Sequence, residues 1–236
     1  MKNGIDVSQW QGDINWNAVK TDFVILRAGY GREKSQVDTK FEQNYNGAKA
    51  AEIPVGAYWY SYAMTPDEAR IEAQAFLNTI KGKQFEYPVY FDVEENKVFK
   101  LGRDAVSKII IAFLDEMEKA GYFAGLYMSA SPLTDYTTQA VKDRYAVWVA
   151  HYGVSKPNYK SQYGMWQKSS QGKINGINGY VDIDECYIDY PKLIKESGKN
   201  GFKAPVSEPV KPTVKTLDVE LTVDGVKYAG TLTEKK

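Results

Sequence analysis

Apolar runs at strand spacing alternate with runs at helix spacing along most of this chain, and that alternation limits the possible folds more than any other feature. Strand-like runs occupy residues 4–8, 22–28, 53–60, 87–94, 123–129, 146–151, 164–167 and 180–186. Between them, Phe41, Tyr45 and Ala48 repeat at helix spacing over 40–51. Thr65 as N-cap, Pro66 at N1 and Glu68 at N3 open a second helix that reaches about Ile80 and buries Ala69, Ala73, Phe76 and Leu77. Residues 102–120 form the clearest helix, with Val106, Ile109, Ile110, Phe113, Leu114 and Met117 on one side and Gly121 as the stop. Strands alternating with helices predict a parallel sheet. Eight strands within about 190 residues predict an α/β fold, an irregular eight-stranded β/α barrel of the TIM type with no full helix between its last two strands. An open doubly wound sheet is the alternative, but the chain has no Gly-rich nucleotide loop.

The texture changes at Lys199. Pro205, Pro209 and Pro212 mark an extended linker, and beyond it residues 217–223 and 226–233 alternate apolar and polar side chains around Asp224-Gly225. Asp-Gly between such runs is a strong hairpin signal. The expected organisation is a barrel over 1–198, a linker over 199–214 and a β-hairpin tail over 215–236. A lone two-stranded hairpin is marginal in water, so the tail is expected to dock, to bind the target or to join copies of the chain. Homo-oligomerisation is the preferred reading.

Lys+Arg and Asp+Glu each total 30, so no basic surplus points to nucleic acid. Cys186 is the single cysteine, which rules out an internal disulfide and a cysteine-ligated zinc site; an inert buried thiol is expected. The lone His151 argues against a His-based metal site or a Ser-His-Asp triad. Neither a metal nor a cofactor is expected. No apolar run reaches membrane-helix length, and residues 1–6 lack the apolar core of a signal peptide, so synthesis in the cytoplasm without stable membrane association is expected.

The chemistry gathers where strands end. In the 87–94 run, Asp92 and Glu94 are two residues apart, on the same face and roughly 6–7 Å from each other along a strand. Each carboxyl at that spacing tends to raise the pKa of the other, which suits a proton donor beside an ionised partner. Asp6 ends the first strand and Asp182 belongs to the last, so a barrel brings all four acids towards one mouth. Taken singly, Asp6 reads equally as a turn cap and Asp182 or Asp184 as a surface acid. Among 18 Tyr and 5 Trp, the aromatics Trp10, Tyr30, Tyr58, Tyr60, Tyr62, Tyr127 and Trp166 stand where these strands finish. Such rings stack on sugars, and they also fill cores.

The segments Asp6-Val7-Ser8-Gln9-Trp10-Gln11-Gly12, Phe91-Asp92-Val93-Glu94, and Met165-Trp166-Gln167 followed by Gly176-Ile177-Asn178-Gly179-Tyr180-Val181-Asp182 closely resemble the signatures of the glycoside hydrolase family 25 lysozymes. The resemblance covers roughly residues 3–195. It implies an irregular eight-stranded β/α barrel that cleaves the β-1,4 bond between N-acetylmuramic acid and N-acetylglucosamine in peptidoglycan. It implies Glu94 as general acid, with Asp6, Asp92 and Asp182 as supporting acids. Tyr30, Tyr58, Tyr60, Tyr62, Tyr127, Trp166 and Gln167 are the expected substrate contacts. Asp184 departs from the pattern, since many members carry Asn there.

A glycosidic oxygen leaves poorly until protonated, so the donor must keep its proton near neutral pH. A retaining reaction is the first expectation, by two carboxylates or by a substrate-assisted route in which Asp92 orients the N-acetyl group; an inverting two-carboxylate scheme is open too. The alternatives from other classes are a catalytically silent wall-binding protein and an N-acetylglucosaminidase or chitinase-like enzyme. The expected setting is a phage or prophage endolysin that reaches the wall through a membrane hole made by another protein.

Overall fold

The computed structural model describes residues 1–205 and 216–233. The chain runs β1 (Lys2–Val7), β2 (Phe23–Tyr30), α1 (Phe41–Ala50), β3 (Val55–Tyr60), α2 (Pro66–Ile80), β4 (Val89–Asp92), α3 (Asn96–Phe99), α4 (Arg103–Lys119) and β5 (Ala124–Ser129). It continues through α5 (Ala130–Tyr136), α6 (Gln139–Arg144), β6 (Ala146–Ala150), β7 (Met165–Gly172), β8 (Val181–Cys186) and α7 (Tyr190–Glu196). The hairpin strands β9 (Thr216–Val223) and β10 (Val226–Thr233) follow.

Strands β1 to β8 close into a barrel in sequence order. Neighbours from β1 to β7 run parallel, as the strand–helix alternation predicts. The last strand departs from that expectation: β8 is antiparallel to both β7 and β1. The link over 173–180 is shorter than the dozen or so residues a parallel crossover needs, so β8 has to return as a hairpin partner.

Strand alternation sorts side chains into two layers. Outward residues such as Val24, Leu26, Trp59, Phe91 and Leu126 pack with Phe76 of α2 and Ile110 and Phe113 of α4. Inward residues Phe23, Ile25, Tyr90, Tyr127, Trp148, Met165 and Cys186 fill the barrel. Two glycines make room for these rings. A Cβ at Gly4 would lie 2.1 Å from the Phe23 ring, and one at Gly125 would lie 2.5 Å from Tyr90. The inner aromatics therefore fill the lower barrel and leave the carboxyl ends of the strands for polar groups. On β4 one step of the pleat decides the site: Phe91 stacks on Phe113 at 3.9 Å between ring centroids, and Asp92 points inward.

The helix start at Thr65 forms as its sequence predicts, with the Thr65 hydroxyl accepting from Glu68 N. Glu68 does not close the box on Thr65; its carboxylate takes the N–H of Met64 instead. Leu77 is half-buried, and the inward position on α2 goes to Glu72. Ser61 Oγ and Tyr62 N donate to that carboxylate.

The segment after Lys199 is not linker from its first residue. The compact barrel unit runs from Met1 to Ala204. Asn200 is fully buried; its amide donates to Phe85 O and Tyr87 O, and its carbonyl accepts from Phe123 N. A side chain that satisfies three backbone groups of neighbouring strands closes the bottom of the barrel, where Tyr190 and Ile194 of α7 also pack. Residues 206–215, the rest of the expected linker, lie outside the described residues.

The second unit holds the hairpin, turning at Asp224-Gly225 as its sequence predicts. The register pairs Leu217 with Leu232, Leu221 with Tyr228 and Val223 with Val226, so one face is apolar. The opposite face carries Asp218, Glu220, Thr222, Lys227 and Thr231. No helix among the described residues is long and apolar enough to cross a membrane.

Candidate active site

At the carboxyl ends of the parallel strands lies a polar pocket of about 150 Å³, lined by Asp6, Tyr58, Asp92, Glu94, Tyr127, Trp148, Tyr152, Gln167 and Asp182. The four acids singled out from the sequence meet here. They do so although Asp6 and Asp182 face each other across an antiparallel pair rather than a parallel one.

Asp92 is the final residue of β4, and the strand stops before Glu94. Leaving the ladder keeps Glu94 accessible to solvent at the rim, while Asp92 sits behind it at 3% exposure. The two carboxyls are within hydrogen-bonding reach and share protons as one titrating pair. Desolvation is the first cause of the upward shift at both: Asp92 is buried outright, and Glu94, exposed along its side chain, lines the pocket with its neighbours. At Asp92 the charge of Glu94 adds to the rise and the guanidinium of Arg27 opposes it. At Glu94 the contact with Asp92 opposes the rise, and Asp182 and Glu95 add to it.

A second acidic group stands across the pocket. Asp6 is held well above the ordinary carboxyl range by burial, then by the charges of Asp182 and Asp184. Asp182 is pushed up to about 6, chiefly by burial. Asp184 is no surface acid: it is wholly buried, and its carboxylate takes the indole N–H of Trp148 at 2.8 Å. Carboxyls packed this closely cannot all ionise, and the protons they retain are available for transfer.

Gln167 fixes the floor. Its carbonyl accepts from the hydroxyls of Tyr127 at 2.7 Å and Tyr152 at 2.5 Å, and its amide donates to Asp6 at 2.6 Å. The two phenols orient the amide, since a flipped Gln167 would face Asp6 with a carbonyl.

Of the expected sugar contacts, Tyr58, Tyr127 and Gln167 line the pocket. Tyr30, Tyr60 and Tyr62 form a separate aromatic rim at the ends of β2 and β3, with Tyr62 packing edge-on to Tyr60 at 5.2 Å and to Tyr30 at 6.1 Å. Tyr60 donates to Glu95. Trp166 goes elsewhere. It lies one pleat step from both Met165 and Gln167, so its ring joins the outer layer and its indole donates to His151 O at 2.8 Å. Trp10 is 77% exposed on the turn after β1.

Arg27, Trp148, Tyr152 and Asp184 escape the sequence reading as site residues. Arg27 had a signal: with Phe23 and Ile25 it occupies every second position of β2, so a strand filled with apolar residues turns a charge inward. Its Nε donates to buried Asp38 at 2.7 Å, and its Nη2 is buried without a partner. Tyr152 follows β6 in an irregular loop, where no periodicity marks it. Cys186 is buried, and its thiol is pushed up to about 11 by that burial, as suits an inert group. Among the described residues no cluster of His, Cys, Asp and Glu is arranged to hold a metal ion.

A family model described as glycosyl hydrolases family 25 matches residues 5–177. The autolytic lysozyme of Clostridium acetobutylicum is 35% identical over 187 residues, covering 77% of this chain and 55% of that protein. The chain thus spans little more than half the length of that relative. The CTP1L endolysin crystal structure superposes with a TM-score of 0.70 at 27% identity, covering 83% of this chain and 70% of that one. The modular autolysin LytC of Streptococcus pneumoniae, solved with a synthetic peptidoglycan ligand, gives a TM-score of 0.69 at 30% identity, covering 79% and 46%.

Proposed function

Because this chain belongs to glycosyl hydrolase family 25, we propose that it is a muramidase, cutting the β-1,4 bond between N-acetylmuramic acid and N-acetylglucosamine in bacterial peptidoglycan. The observation that carries the reading is the pairing of a rim carboxyl, Glu94, with a buried one, Asp92, a pair that together retains a proton to higher pH than ordinary acids. Glu94 protonates the glycosidic oxygen as the C1–O bond breaks. Asp92, buried behind it, suits holding the N–H of the substrate's N-acetyl group better than attacking carbon. The acetyl carbonyl oxygen then bonds to C1, and Asp92 takes up the developing positive charge by hydrogen bond. Water next attacks C1 and gives its proton to the Glu94 carboxylate; the bond from the acetyl oxygen breaks and the configuration is retained. Asp6 and Asp182 line the same pocket and complete its negative field.

The likeness to an endolysin and an autolysin supports a role in wall lysis. We place the chain as a phage or prophage endolysin, made in the cytoplasm and passed to the wall through a pore formed by another protein. The apolar hairpin face suits a second copy of itself better than a glycan, whose hydroxyls offer no match for Leu217, Leu221, Tyr228 and Leu232. Self-association through the hairpin is therefore part of the proposal.

Mass spectrometry of digested peptidoglycan tests the activity. Muramic acid at the new reducing ends is the expected product. Glucosamine ends would make the chain an N-acetylglucosaminidase, and no new ends would leave a wall-binding protein.

A further inference from the structure

Beside the acid pocket, over the ends of β5 and β6, lies a larger cavity of about 780 Å³. The two share a wall residue, Tyr152, whose hydroxyl is tied to Gln167. Their chemistry differs. The small pocket is acidic, and the large one presents Lys142 and Lys160 with Asp135 as its single acid. Asp135 is already engaged, accepting from Ser131 Oγ with its carboxylate and from Arg103 Nε with its backbone oxygen.

Neither lysine forms an ion pair among the described residues, and Lys142 spends its ammonium on a single backbone carbonyl, Thr134 O at 3.3 Å. His151 on the same wall accepts the N–H of Asn158 at Nδ1, which leaves its Nε2–H as a neutral donor. The cavity thus offers two cations and a neutral donor, the complement of a carboxylate-bearing chain rather than of a neutral sugar.

The acid pocket holds too little space for more than part of one sugar ring, and its charge repels anions. A muramic acid residue carries a peptide with free carboxylates on its lactyl ether. Those carboxylates need a place away from the acids but close to the bond that is cut. We propose that the cavity under Lys142 and Lys160 binds the anionic stem peptide of the muramic acid residue, making the enzyme prefer peptide-bearing over bare glycan. This inference rests on the muramidase reading.

The test compares two substrates: uncross-linked peptidoglycan chains, and the same chains stripped of peptide by an amidase. Reducing-end release gives kcat/KM for each. The wild-type chain is expected to favour the peptide-bearing substrate by about tenfold, the upper scale of two solvent-accessible ion pairs. The double variant Lys142→Met/Lys160→Met is expected to lose that preference while cutting bare glycan within about twofold of the wild-type rate. The variant Lys142→Arg/Lys160→Arg is expected to retain it. A wild-type enzyme indifferent to the peptide, or a Met variant equally impaired on both substrates, would overturn the inference and leave the muramidase reading standing. A wild-type chain that cuts neither substrate would overturn both.

Discussion

Gln167 donates its side-chain amide to Asp6 at 2.6 Å across 161 residues of sequence, and two tyrosine hydroxyls hold its carbonyl the other way. This amide is a neutral donor held against a buried acid. It lowers the pKa of Asp6, against the larger effects of burial and of Asp182 and Asp184.

Gln167→Glu is therefore expected to add a carboxyl against a buried carboxyl and to remove the amide donor from Asp6. The loss of such a buried bond costs about 1–3 kcal/mol, with repulsion added. Urea unfolding should show a lower midpoint, and wall lysis should fall by at least about tenfold at pH 7. A variant with unchanged midpoint and activity would remove Gln167 from the site.

Asn200 stitches three strand-end backbone groups from a segment that reads as linker. Asn200→Ala leaves Phe85 O, Tyr87 O and Phe123 N without that partner. The expected cost is about 2–4 kcal/mol by chemical denaturation, since each buried group left unsatisfied costs about 1–3 kcal/mol and some recover water. An effect below about 0.5 kcal/mol would return the segment to the linker.

Glu72 supplies a pH signature of stability away from the chemistry. Burial raises its pKa to about 7 from 4.5, against the hydrogen bonds from Ser61 and Tyr62. The folded state thus holds a proton that the unfolded state releases earlier. Its stabilising contribution is complete below about 4.5, declines between 4.5 and 7, and is lost above. Relative to Glu72→Gln, the wild-type chain should lose on the order of 3 kcal/mol between pH 4.5 and pH 8. Parallel stability curves for the two proteins would contradict this.

The hairpin register leaves Leu217, Leu221, Val223, Val226, Tyr228 and Leu232 exposed on one face. Two-stranded sheets need a partner to bury such a face. Light scattering should give a mass above that of one chain for the wild-type protein and the single-chain mass for Leu221→Asp. A monomeric wild-type protein would exclude the tail as an assembly device.

The sequence carries the barrel because period-2 and period-3.6 patterns alternate strongly enough to survive burial. The direction of β8 is hidden from such patterns, since a strand reads alike both ways and only the short 173–180 link signals the reversal. Asp6, Asp92, Glu94 and Asp182 are legible because acids stand out at the ends of apolar strands. Trp166 misleads for the opposite reason: an aromatic at a strand end faces the core or the mouth according to pleat phase, and a motif does not reveal that phase. Arg27 is legible in principle from the phase of β2. Tyr152 and the cavity beside it are built by loops and short helices between β5 and β7, where spacing carries little information.

The central claim is that Glu94 protonates the leaving oxygen with its pKa raised chiefly by desolvation in the pocket, and further by the charges of Asp182 and Glu95. Activity should accordingly fall as pH rises through the titration of the Asp92–Glu94 pair, because the donor loses its proton. The most direct measurement is reducing-end release from purified peptidoglycan by Glu94→Gln beside the wild-type chain, with circular dichroism to confirm folding. A folded variant with at least about a thousandfold loss of turnover is the predicted result. A folded variant that still cuts within about tenfold of the wild-type rate would contradict the account.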